Sequence, residues 1–285
     1  MCIRDRWDGS TDVVWPNSGT TPDDDTATFG VTDGAYAITV GQSMNIGGNL
    51  SFTHSGYTLS NSSTPVTLSR TLSVSVSANK TATIGQNVTV NRSGNISLTG
   101  GGTLNVSGSG ATIQTGASFQ AISITNGTTV NVLTGGSIYT SHFNNSSIQV
   151  QAGTLVVDGG SVQLRNNHTD TLTSQLTPDL ILGSNNGNTG TLTLTSGSVD
   201  LYQNQFESGG NRYSGNLVVG RNANATGTAT GIANLNGGTL NILGMRYNGT
   251  GVQATNGAIV VTAGNGTTGT VNFGGAVATI GNASV

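Results

Sequence analysis

The sequence predicts an all-β chain, a right-handed parallel β-helix (β-solenoid) forming a single elongated domain. Three observations point there: a strand-and-turn composition, a short strand unit that recurs, and a longer period that returns the chain to the same pattern. The 285 residues include 44 glycines, and charged residues make up only 7%, against about 25% in a typical soluble domain. Thr, Val and Ile favour strands, while Gly, Asn and Ser favour turns. Disordered tails combine high net charge with few β-branched residues; here the net charge is −3 and β-branched residues abound.

The short unit is Gly, then Thr or Ser, then an aliphatic, any residue, and an aliphatic. It reads Gly102-Thr103-Leu104-Asn105-Val106, Gly153-Thr154-Leu155-Val156-Val157 and Gly160-Ser161-Val162-Gln163-Leu164. It returns at Gly190, Gly197, Gly238 and Gly269. Apolar and polar residues alternate, the mark of a strand with one buried face. The opening glycine is expected to supply a positive φ for the turn before the strand. Two units sit seven residues apart at Gly153 and Gly160, and again at Gly190 and Gly197, which leaves only a tight corner between successive strands.

The longer unit opens on an aliphatic strand: Leu180-Ile181-Leu182-Gly183, Leu217-Val218-Val219-Gly220 and Ile259-Val260-Val261, at offsets of 37 (217 − 180) and 42 (259 − 217). Leu180 to Leu201 holds three strand signals, the content of one coil of a three-sided β-helix. Stacked coils put strands about 4.8 Å apart, and about ten coils are expected. A single coil cannot bury its apolar face alone, so neighbours complete the core. Asn at the corners is expected to form hydrogen-bonded ladders. A β-sandwich or meander is the competing fold, since Gly-Gly and Ser-Gly turns also suit hairpins. The aromatic content of 5% favours the solenoid, because a two-sheet core about 10 Å thick is usually filled with bulkier side chains.

Along the chain, residues 1–6 stand apart. Met1 to Arg6 holds the only cysteine, Cys2, and two of the few arginines. It is similar to a translated sequencing-adapter tail and is read as a non-native leader, with an export signal expected upstream of Trp7. Val285 falls inside a repeat-like stretch, so the chain reads as an internal fragment. Residues 7–95 are expected to form a capping and irregular β region, with strands near Ala35-Val40, Leu50-Thr53, Val66-Leu68, Leu72-Val76, Ala82-Ile84 and Val88-Val90. Trp7 and Trp15 are placed at the open end as caps. Residues 96–285 are expected to be the repetitive β-solenoid.

Certain function classes are disfavoured. One cysteine permits no intrachain disulfide. Lysine and arginine total 9 with no basic patch, so nucleic acid is not expected as a partner. No run approaches ~18 apolar residues, the length of a transmembrane helix. Gly100-Gly101-Gly102 lacks the Lys and helix of a phosphate loop. No Gly-x-Ser-x-Gly sits at a strand-to-helix elbow.

The opening Trp7-Asp8-Gly9, Trp15 and Pro22-Asp23-Asp24-Asp25-Thr26-Ala27-Thr28-Phe29 resembles the head of bacterial autotransporter-associated β-strand repeat proteins. Ile46-Gly47-Gly48-Asn49-Leu50-Ser51-Phe52 and Gly56-Tyr57-Thr58-Leu59 resemble their next strands. Leu217-Val218-Val219-Gly220-Arg221, Gly227-Thr228-Ala229 and Leu235-Asn236-Gly237-Gly238-Thr239-Leu240 resemble later repeats of the same class. Similar repeats occur in exported proteins with a PEP-CTERM sorting tail. The resemblance covers most of the chain and implies an exported β-helix passenger at the cell surface or outer membrane, linked to adhesion or surface structure. No translocator barrel or sorting tail is found within these residues, which leaves the export route open.

β-Helices also host polysaccharide lyases and hydrolases, and glycoside hydrolysis needs two positioned carboxylates. Beyond Asp33 the acidic residues are Asp158, Asp170, Asp179, Asp200 and Glu207. Asp158 is placed at a corner and Asp200 on an outward face, with no paired run, so solvated surface is the simpler reading. Asp23-Asp24-Asp25 lacks the ligand spacing of a calcium site. His54, His142 and His168 are scattered without metal-ligand spacing. No catalytic, cofactor-binding or metal-binding residue is assigned, and the chain is not expected to be an enzyme. Thr191-x-Thr193-x-Thr195 and Thr169-x-Thr171-x-Thr173 give outward Thr columns with the form to bind ice or sugar, although β-propensity alone also explains them. Tyr139, Phe143, Tyr202, Phe206, Tyr213 and Tyr247 lie near longer insertions. Of these, Tyr202, Phe206, Tyr213 and Tyr247 are the candidate ligand-binding residues, since aromatic rings stack on sugars. The partners expected are glycans or host cell-surface polymers. The leading expectation is an exported structural or adhesive segment; the alternatives are a carbohydrate-active β-helix enzyme, a tailspike-like depolymerase, or a glycan-binding module.

Overall fold

The computed structural model describes residues 26–115, 121–140, 147–168, 179–184, 187–205, 215–221, 228–247, 252–255, 258–263 and 266–282, and the short strands Asp5–Trp7 and Asp12–Val14. Among them there is no helix, so none is long and apolar enough to cross a membrane. The described residues form a right-handed parallel β-helix of nine coils. Each coil gives one strand to each of three parallel sheets. Sheet I begins with Ala27–Phe29 and Asn49–Phe52, sheet II with Tyr36–Thr39 and Tyr57–Ser60, and sheet III with Met44–Asn45 and Val66–Ser69. Nine strands at the usual spacing make a rod about 40 Å long.

The expected periods are those of the ladders. Leu180 registers with Leu217, and Leu217 with Ile259, on sheet I. Leu180–Ser184, Asn188–Leu194 and Ser198–Gln205 are the three strands of the seventh coil. The paired short units at Gly153 and Gly160 open successive strands of one coil, on sheets II and III. The ladders pass residues 95 and 96 without a break, because Ile96–Thr99 pairs with both Ser73–Val76 and Ala121–Ile124. All the strands expected between residues 35 and 90 are rungs of these same ladders.

Alternation builds the core. In sheet I, Leu50, Val74, Leu98, Ile124, Val150 and Leu182 form one inward column, each fully buried. Sheets II and III supply matching columns through Leu104, Val130 and Leu155 and through Ile113, Ile138 and Val162. Each such side chain contributes about 1.5–3 kcal/mol of burial, and because the columns are continuous every inner coil is sandwiched by like neighbours. The first two coils differ in holding an aromatic cluster. Phe29 stacks on Phe52 at 4.8 Å, and Tyr36 on Tyr57 at 4.7 Å. The Val31 amide donates to the Tyr57 hydroxyl at 3.1 Å. In the ninth coil the inward side chains are open instead, with Phe273 62% and Ile280 46% exposed.

The role of the opening glycines is corrected by the structure. Gly197 and Gly238 do adopt positive φ, but Gly102, Gly153, Gly160, Gly190 and Gly269 do not. Those five are required by close approach. An added Cβ would stand 2.3 Å from the Ser77 oxygen at Gly102, 2.5 Å from the Thr128 oxygen at Gly153, and 2.4 Å from the Val219 oxygen at Gly269. Glycine here lets the end of one sheet pass directly over the start of the next.

Coil size grows mainly between sheet III and sheet I. The link from sheet III back to sheet I is residues 46–48 in the first coil and 169–179 in the sixth, and the sheet III strands lengthen from Val66–Ser69 to Ser161–His168 and Thr239–Tyr247.

Candidate functional site

The outer surface is made of columns, because parallel register stacks like positions from coil to coil. On sheet II the first outward column reads Thr81, Thr103, Thr129, Thr154, Thr191, Ile232, Thr270. The second reads Thr58, Thr83, Asn105, Asn131, Val156, Thr193, Asn234, Asn272. Asn131 donates to Asn105 Oδ1 at 2.9 Å, and Asn272 to Asn234 Oδ1 at 2.8 Å. The amide ladders expected at corners thus also run along a sheet face. At the corner itself, Asn87 Nδ2 donates to the Asn61 carbonyl at 3.0 Å.

Sheet III carries an outward hydroxyl column through Thr67, Thr89, Thr112, Ser137, Ser161, Ser198 and Thr239. Beside it run Asn91, Gln114, Tyr139, Gln163, Asp200 and Asn241. Sheet I changes character along the rod: Asn49, Ser73, Ser97, Ser123 and Gln149 give way to Ile181, Val218 and Val260.

The carboxylates fall at three different places. Asp158 ends a sheet II strand, exposed at the corner, and its Oδ1 accepts from Ser196 Oγ at 2.7 Å. The hydrogen bonds from Ser196 and then Thr195 hold its carboxyl below the ordinary value of 3.8. Asp200 lies mid-strand on sheet III. It holds an outward position yet is only 7% exposed, accepting from Ser198 Oγ at 2.9 Å and from Asn241 Nδ2 at 2.7 Å. Asp179 precedes a sheet I strand, and its Oδ1 accepts from the Asn216 backbone and side-chain amides at 3.1 and 3.0 Å. Each of the three receives a bond from the following coil, so each ties two coils together. Asp170 and Glu207, like Asp23-Asp24-Asp25, lie outside the described residues.

Two of the candidate aromatic residues, Tyr202 and Tyr247, belong to the lengthened strands of sheet III. Tyr202 belongs to Ser198–Gln205, where its backbone registers with Arg165 on one side and Leu243 on the other. Tyr247 ends Thr239–Tyr247 and registers with Val252 of an antiparallel strand, Val252–Thr255, added to the sheet edge. Beyond Tyr202 the same ladder pairs Asn166 with Gln203, Asn167 with Asn204 and His168 with Gln205. Phe206 and Tyr213 lie outside the described residues, as do Phe143, His142, Trp15 and the Thr169–Thr173 stretch. Thr191 and Thr193 occupy the two outward sheet II columns, whereas Thr195 turns back to the Val157 carbonyl at 3.2 Å.

Sequence reading did not single out Arg165, the cation that shares a register position with Tyr202, nor the Asp200–Asn241 bond. The signal for both lay in the glycine units: aligning Gly160 with Gly197 puts Arg165 on Tyr202, and aligning Gly197 with Gly238 puts Asp200 on Asn241. Among the described residues no three His, Cys, Asp or Glu side chains are grouped as a metal would require. His54 is bonded locally through Nδ1 to Thr53 Oγ1 at 3.1 Å.

No protein-family model matches the chain, and no similar sequence or structure was found among curated proteins or solved structures.

Proposed function

We propose that the chain is a structural or adhesive rod of an exported bacterial surface protein, comparable to the β-helix passengers of autotransporters or to exported repeats with a sorting tail. The supporting observation is how the surface is made. Hydroxyl and amide columns cover continuous parallel sheets, and Asp158, Asp179 and Asp200 serve as ties between coils. Such a rod holds a distal segment at a fixed distance and offers repeated weak contacts to a polymer. The test is to display the chain on cells and measure retention on polysaccharide-coated surfaces, while assaying the purified chain for reducing ends released from the same polymers. The expected outcome is retention without release. Release that disappears in Asp200→Asn would replace this reading with a carbohydrate-active enzyme.

The register of Tyr202 with Arg165 favours a second reading, a glycan-binding module at the lengthened edge of sheet III. Aromatic rings stack on sugar faces, and guanidinium groups bind carboxylate sugars. A glycan array that shows binding by the chain, lost in Tyr202→Ala and Tyr213→Ala, supports it; unchanged binding in both variants rejects it.

A further inference from the structure

We propose that the outer face of sheet II binds ice. The inference rests on four features of that face, independent of the export reading. First, five consecutive coils present Thr81, Thr103, Thr129, Thr154 and Thr191 at one outward position. All five are half-exposed. Unlike Thr112, which bonds Ser137 at 2.9 Å, none of the five hydroxyls has a protein partner among the described residues.

Second, a parallel column two residues along each strand carries Thr83, Asn105, Asn131, Val156 and Thr193. The two columns form a grid with repeats of about 4.8 Å along the rod and about 6.6 Å across it. The repeat along the rod is close to the short oxygen repeat on the prism faces of ice, and the repeat across it is somewhat shorter than the long one. Third, neither column contains Asp, Glu, Lys or Arg. Charges would hold water in their own geometry and break the grid. Fourth, the grid is stiff. Threonine is β-branched and restricted at χ1, the Asn105–Asn131 amides are bonded to each other, and the strand beneath is anchored by buried Leu104, Val130 and Leu155.

A liquid-water partner gains nothing from a fixed lattice, but a crystal does. Each hydroxyl contact is weak, and a rigid array makes them simultaneously with little ordering cost. Threonine methyl groups and Val156 lie among the hydroxyls, so the face also sheds poorly held water. The other faces lack this combination. Sheet III places Asp200 and Tyr139 beside its hydroxyl column, and sheet I changes to Ile181 and Val218 in the later coils.

The experiment measures adsorption of the purified chain to ice and its effect on ice recrystallisation. The expected result is adsorption and slowed recrystallisation by the wild-type chain. Thr129→Tyr, which plants a ring in the middle of the grid, loses both, while Thr89→Tyr on sheet III keeps them; circular dichroism checks that each variant is folded. If Thr129→Tyr misfolds, Thr103→Tyr takes its place. The proposal is overturned if the folded wild-type chain leaves ice growth unchanged, or if the sheet II variant keeps its activity. It is equally overturned if Thr89→Tyr loses as much, or if the face captures crystalline cellulose or chitin but not ice.

Discussion

Gly190 lies directly over Val150, the residue that ends the sheet I strand one coil earlier. An added Cβ would stand 1.9 Å from the Val150 carbonyl oxygen and 2.3 Å from the Gly183 amide nitrogen. Both neighbours are backbone, so neither can swing aside. Gly190→Ala is therefore expected to destabilise the rod by about 2–4 kcal/mol, with Gly127→Ala as contrast. Gly127 has open space around it, and its only penalty is its positive φ, about 1 kcal/mol or slightly more. Urea unfolding midpoints of the two variants give the comparison. Equal shifts would show that close approach is not what selects glycine here.

Asp200 and Asn241 give a second expectation. Truncation in Asp200→Ala leaves the Asn241 amide and the Ser198 hydroxyl without their acceptor on a face that is already largely covered. An unsatisfied group of this kind costs about 1–3 kcal/mol. Asp200→Asn keeps an acceptor oxygen and should recover most of that loss. Thermal melting of the two variants side by side tests the tie.

The exposed carboxylates predict a pH response. Asp33 is held below its ordinary value of 3.8, first by its bond from Lys80 and then by the Ser55 amide; Asp158 is held low by Ser196. Both are ionised more readily in the folded chain than in the unfolded one. Their contribution is therefore complete above the unfolded value and disappears as pH falls through the lower folded value. Stability should be flat with respect to these groups above about pH 5 and decline below about pH 4. Asp33→Asn should flatten part of that decline. A decline of unchanged steepness in both Asp33→Asn and Asp158→Asn would remove these residues as its source.

Phe52 is fully buried and stacked on Phe29. Phe52→Ala should cost about 3–5 kcal/mol. In a stack of coils that interact with nearest neighbours, the loss is felt first at that end. Hydrogen exchange should accelerate in residues 27–69, while strands in the middle of the rod, such as Thr103–Val106 and Gly153–Asp158, stay protected. Uniform acceleration along the rod would mean that the coils unfold as one unit.

The fold was legible because its two periods are written in different residues. Leu180, Leu217 and Ile259 mark the coil, and the paired glycine units mark successive sides of it. The glycines themselves were visible, but their reason was not, since a distance between Gly190 and Val150 exists only after the coils are stacked. The Phe29–Phe52 and Tyr36–Tyr57 stacks were written as aromatic residues one coil apart, yet low aromatic content drew attention away from them. The sheet II columns were harder. Thr103, Thr129 and Thr191 are unevenly spaced in sequence because coil length varies, so only the register shows that they share one line. Tyr202 was found as an aromatic near an insertion, whereas its companion Arg165 belongs to a different coil and is joined to it only by the ladder.

The stacking direction also decides how such a rod would answer a pull. The ladder hydrogen bonds run along the rod, with strands across it, so tension applied at the two ends passes through the coil boundaries in series, and they yield one at a time rather than all together. A coil that yields between Leu50 and Val74, 24 residues apart, releases chain at about 3.4 Å per residue, roughly 80 Å in place of a single inter-strand spacing. A tether built this way gives length under load in steps, and shields whatever it holds from sudden force.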